Sequence, residues 1–78
     1  MNLFIKEKAM GLYADIVYAV KNGHLKEPFS SSDVKRACPN WNSNTYPTFL
    51  PKHRVGNPGG QSELFEQVSS GSYRLLRP

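Results

Sequence analysis

The chain has 78 residues, 38% of them hydrophobic, which suits one domain with a small core and not a disordered chain. No apolar run approaches the roughly 20 residues a membrane span needs, and residues 1–8 lack the basic-then-apolar order of a signal peptide. The net charge of +4 divides evenly between residues 1–39 and 40–78, so it forms no basic tail; it permits nucleic-acid binding without requiring it. One cysteine, Cys38, excludes an internal disulfide and points to a reducing, cytoplasmic setting. One Cys and two His are too few for a structural zinc site.

In chain order, Met1 to Ile5 reads as a short apolar lead-in. A helix is predicted from about Lys6 to Asn22, because Ile5, Ala9, Leu12, Tyr13, Ile16, Val17 and Val20 recur at helical spacing. Gly11 weakens it mildly, and Asn22-Gly23 is a stop signal. His24 to Glu27 reads as a polar connector, and Pro28-Phe29 as a single strand-like rung. Ser30 and Asp33 have capping-box spacing, with Phe29 and Val34 placed as a hydrophobic staple, so a short helix is expected from Ser31 to about Ala37. Pro39 ends it. Cys38 and Ala37 face the core in this reading, and Cys38 has no recognisable activating base.

A turn through Pro39-Asn40-Trp41-Asn42 follows, with Trp41 packed over the junction of the helices. The next helix, about Ser43 to His53, has two unlike faces. At 100° per residue, Tyr46, Phe49, Leu50 and His53 share an inward side. Asn44, Thr48 and Pro51 lie opposite, with Thr45 and Lys52 on one flank and Pro47 on the other. Amide, hydroxyl and ammonium groups on such a face are the chemistry that reads base edges and phosphates. Ser43 or Asn44 is placed to cap this helix, Pro47 is tolerable in its first turn, and Pro51 either kinks it or begins a tighter last turn. Val55 to Ser62 reads as a connector, flexible around Gly59-Gly60, and lacks the Lys-Ser/Thr of a phosphate-binding loop.

The segment from Glu63 to Leu76 reads as a β-hairpin turning at Ser69-Ser70-Gly71, with glycine at the left-handed position. That register sets Phe65 opposite Leu75, Gln67 opposite Tyr73 and Glu66 opposite Arg74. Arg77-Pro78 is a short basic end.

The stretches Phe29-Ser30-Ser31-Ser32-Asp33-Val34, Asn42 to His53, and Leu64-Phe65-Glu66 through Gly71 to Tyr73-Arg74-Leu75 together resemble a winged helix-turn-helix domain of the small stand-alone or nuclease-associated type. The resemblance covers nearly the whole chain. It implies an α+β fold over residues 1–78, with three helices followed by a C-terminal hairpin, the wing. It further implies a DNA-binding module, either a small transcriptional regulator or a targeting domain, with the helix around 43–53 in the major groove of double-stranded DNA. On that reading Asn44 bonds adenine, and Thr45 and Thr48 reach a thymine methyl or a phosphate. Lys52, Arg54, Lys35, Arg36 and Arg74 hold phosphates. The wing tip carries no Lys or Arg, so minor-groove readout by the tip is not expected. The alternative is a winged-helix adaptor that docks a protein partner or a second copy of itself. No cofactor and no small-molecule substrate is expected. Enzymatic activity is not expected either, since no nucleophile-base pair or paired-carboxylate cleft stands out.

Overall fold

The computed structural model describes residues 2–59 and 62–76, with Asn2 to Met10 as backbone alone. Three helices, α1 (Asn2–Lys21), α2 (Ser31–Ala37) and α3 (Thr45–Lys52), precede an antiparallel hairpin of β1 (Phe65–Ser69) and β2 (Ser72–Leu75). This is a small α+β domain.

The first helix begins at Asn2, four residues before the expected start. Nothing in Asn2-Leu3-Phe4-Ile5 breaks a helix, so the supposed lead-in simply continues it. The expected core roles of Ile5 and Ala9 lie outside the described side chains, as do Met1, Gly60, Gln61 and the basic end Arg77-Pro78. Further along, Leu12 and Ile16 are fully buried, and Tyr13, Val17 and Val20 flank them, half-buried. Ala19 joins the buried line, although the expected stripe omitted it. The helix stops at Gly23, whose φ of +78° is the left-handed conformation that glycine adopts without a Cβ penalty.

The connector after Gly23 is not wholly polar. Leu25 is buried, because the chain doubles back and the Leu25 N–H bonds the Ala19 carbonyl at 3.2 Å. Beyond it the Glu27–Pro28 peptide bond is cis. Phe29 then forms the expected rung, exchanging two 2.8 Å backbone hydrogen bonds with Tyr73 on the outer edge of β2. The hairpin has the expected register, Phe65 with Leu75, Glu66 with Arg74 and Gln67 with Tyr73. Its pairing runs one step further, to Ser69 with Ser72, and Val68 is left as a bulge. The connection is therefore tighter than three residues. Gly71 sits at φ +73°.

The loop after α3 is laced to the hairpin more closely than a plain connector. Arg54 makes a parallel bridge to Phe65, and the Val55 N–H donates to the Phe65 carbonyl at 2.9 Å. Both edges of the hairpin are thus occupied by single rungs, which shields the free strand edges. Phe65 is the centre of the core. It is fully buried and meets Tyr13, Phe29 and Phe49 in edge-to-face contacts at centroid distances of 6.0, 6.1 and 5.7 Å. One aromatic side chain from the hairpin therefore contacts α1, the Phe29 rung and α3.

Candidate nucleic-acid interface

The α2 helix starts where its capping signal places it. The Ser30 hydroxyl accepts the Asp33 N–H at 3.1 Å, and the Asp33 carboxylate accepts the Ser30 N–H at 3.0 Å, closing the capping box. The Ser30 backbone N–H holds the Asp33 carboxyl below the ordinary carboxylate range. Slight burial opposes this, while the Ser30 hydroxyl and the Arg36 guanidinium reinforce it.

The segment from Cys38 to Asn44 carries the chain from α2 to α3, and Tyr46 organises it. The Tyr46 hydroxyl donates to the Cys38 carbonyl and accepts the Trp41 N–H at 3.1 Å, while the Tyr46 carbonyl accepts the Ser31 hydroxyl at 3.0 Å. One buried residue thus ties both ends of the turn and the start of α2 to α3. Trp41 leans the other way, onto α1. Its Nε1–H donates to the Asp15 carboxylate at 2.9 Å, and its ring edge fills the notch at Gly11, where a Cβ would stand 2.8 Å from Cη2. Burial raises the Cys38 thiol above its ordinary pKa, and the Asp15 charge adds to the effect, the opposite of an activated nucleophile.

The two faces of α3 separate as its spacing predicts. Tyr46, Phe49, Leu50 and His53 are all buried. His53 packs against Phe49 with ring centroids 4.7 Å apart and planes tilted by 49°, and its Nδ1 donates to the Ser62 carbonyl at 2.9 Å. Its own carbonyl accepts the Leu64 and Phe65 N–H groups. It is a joint of the core and does not point outward. Pro51 produces the tighter last turn, where the His53 N–H is shared between the Phe49 and Leu50 carbonyls.

One expectation at the start of α3 needs correcting. Asn44 occupies the N-cap position, but its backbone is already helical (φ −74°, ψ −14°) and its side chain makes no capping bond; Ser43 does not take over the role. Asn42 does the local work instead, its side-chain carbonyl accepting the Asn44 N–H at 2.8 Å, the turn an Asx residue makes two positions ahead. That motif was present in the sequence and is the signal that would have singled out Asn42.

The structure brings together four of the eight expected contact residues. Asn44, Thr45, Thr48 and Lys52 line one open groove of about 450 Å³ with Asn42 and the inner residues Phe49 and His53. Thr48 donates its hydroxyl back to the Asn44 and Thr45 carbonyls, both at 3.1 Å. Lys35 and Arg36 line a different depression on α2, with Ser32 and Pro39. Arg36 is paired with Asp33 and Arg74 with Glu66, each at 2.7 Å. Arg54 is half-buried, with Nη1 donating to the Val55 carbonyl at 3.3 Å. Such exposed pairs contribute about 0–1 kcal/mol, but they leave little net positive charge where they stand. Lys52 and Lys35 are exposed and carry no ion pair among the described residues.

Among the described residues no three His, Cys, Asp or Glu side chains gather where a metal ion could be held, and no helix is long and apolar enough to cross a membrane. Comparison with protein-family models, with curated proteins and with solved structures finds no match to the chain.

Proposed function

We propose that the chain is a winged helix-turn-helix module that binds double-stranded DNA through α3, as a small regulator or as the targeting part of a larger system. The observation that carries the reading is the division of α3. Its inner face is wholly engaged by the core, while Asn44, Thr48 and Lys52 stand exposed at intervals of four residues along the other side. That stripe combines an amide, a methyl and an ammonium on a rigid support, a set suited to base edges and a phosphate. Lys52 and Lys35 are the strongest candidates for phosphate contact, because Arg36 and Arg74 already face carboxylates. The test is fluorescence anisotropy of a labelled random-sequence duplex at about 50 and about 200 mM salt. The expected result is non-specific binding between about 1 and 100 μM that weakens steeply with salt. Lys52→Glu should weaken it further and lower the salt slope by about one. Absence of binding at the lower salt would overturn the reading.

A second reading, a docking domain for a protein partner or another copy of the chain, draws on the same ion pairs. With Arg36 and Arg74 each facing a carboxylate, neither adds net positive charge at its own place on the surface.

A further inference from the structure

We infer that α3 discriminates bases through Asn44 and Thr48, selecting an adenine and a thymine no more than two base pairs apart; this rests on the DNA-binding reading above. The carrying observation is how each side chain uses its polar atoms. Thr48 is exposed, but its hydroxyl proton is held by the Asn44 and Thr45 carbonyls of its own helix. An oxygen turned back onto the backbone leaves the methyl as the outward group, and a methyl suits the C5-methyl of thymine. A phosphate, which needs a donor, is thereby disfavoured as its partner.

Asn44 is the complementary case. Its N–H is taken by Asn42 and its carbonyl by Thr48, so its backbone is fixed from both directions. Its side chain is exposed and is not used as a cap. A carboxamide on a fixed backbone, with donor and acceptor both available, matches the N6 donor and N7 acceptor of adenine in the major groove. Residues four apart on a helix are separated by about 6 Å along its axis. Successive base pairs are about 3.4 Å apart. A helix lying along the groove therefore sets the two contacts fewer than two base steps apart. Lys52, one turn further, falls beyond them toward the backbone.

The test is site selection from random duplexes by the wild-type chain, Asn44→Ala and Thr48→Ser, followed by anisotropy on the wild-type site and on copies with each thymine replaced by uracil. Thr48→Ser keeps the hydroxyl and removes only the methyl; circular dichroism checks that all three proteins fold alike. Asn44→Ala should lose between about fivefold and about 150-fold in preference at one adenine. One uracil substitution should cost the wild type about fourfold, the value of one buried methyl. The same uracil should cost Thr48→Ser nothing, because that contact is already gone. Equal losses for the two proteins, or a selected site without adenine and thymine in this spacing, would overturn the inference while salt-sensitive binding kept the wider reading intact. No binding of any duplex at low salt would overturn both.

Discussion

The helices α2 and α3 are nearly equal in length and are joined by one short turn, yet they use their polar groups in opposite ways. In α2 the capping serine, the Asp33 carboxylate and the Arg36 guanidinium bond one another, so the start of the helix closes on itself. In α3 the hydrogen bonding is displaced to the ends and the interior. Asn42 secures the first turn from outside, Tyr46 and His53 bond inward, and the Asn44 amide and Lys52 ammonium are left over. The start of α2 is thus a structural part, and Lys35 is the cation of that helix left without an ion pair among the described residues. A helix held rigidly by its other face, with polar groups to spare, is equipped to meet a ligand.

The largest effect should come from breaking the inward grip of α3. Phe49 touches both Phe65 and His53, so Phe49→Ala should cost about 3–5 kcal/mol. A domain of this size holds only about 4–12 kcal/mol in total. Urea titration should show a largely unfolded protein or a greatly lowered midpoint. Tyr46→Phe is the sharper probe, since it keeps the ring and removes the hydroxyl that ties Cys38 and Trp41. A loss of about 1–3 kcal/mol is expected, from orphaning a buried partner; an unchanged urea midpoint would mean that the turn holds itself.

The caps should separate the two helices directly. Ser30→Ala should lose about 1 kcal/mol, because the hydroxyl closes a capping box. Asn44→Ala, at the same formal position of α3, should lose much less, since its side chain caps nothing. Equal losses in thermal unfolding would erase the distinction between the helices.

The smallest effect is on acid stability. The folded Asp33 carboxyl lies below its unfolded value, so its contribution is complete above the unfolded pKa of about 3.9 and disappears as the pH falls through the lower folded value. Asp33→Asn should flatten the decline in stability below about pH 4, measured by urea unfolding at stepped pH. A curve parallel to the wild type would remove Asp33 from the account.

Much of this architecture was legible in the residues, and for local reasons. The α2 cap, the buried face of α3 and the hairpin register each follow from spacing within a dozen residues: Ser30 to Asp33, Tyr46 to His53, Phe65 to Leu75. Part of what escaped depended on distant partners. Leu25 looks like part of a polar linker until the chain folds back onto α1. Arg54 and Val55 look like the start of a plain connector until β1 lies beside their backbone. In the candidate interface, the Arg74 pairing with Glu66 followed from the register, whereas the Arg36 pairing with Asp33 was missed although its spacing of three on a helix was visible. The direction of the Thr48 hydroxyl was not legible, because a threonine on an exposed face has no way to announce which of its two branches turns outward.

The notch at Gly11 carries a consequence for descent. Alanine at that position would favour the helix locally by about 1 kcal/mol, so drift should press toward it. Trp41 stands in the way, since the new methyl would meet its ring 2.8 Å off. The two positions, thirty residues apart, should therefore change together. Relatives that keep the tryptophan should keep the glycine, and those that replace it with a smaller residue should be the first to accept a side chain at position 11.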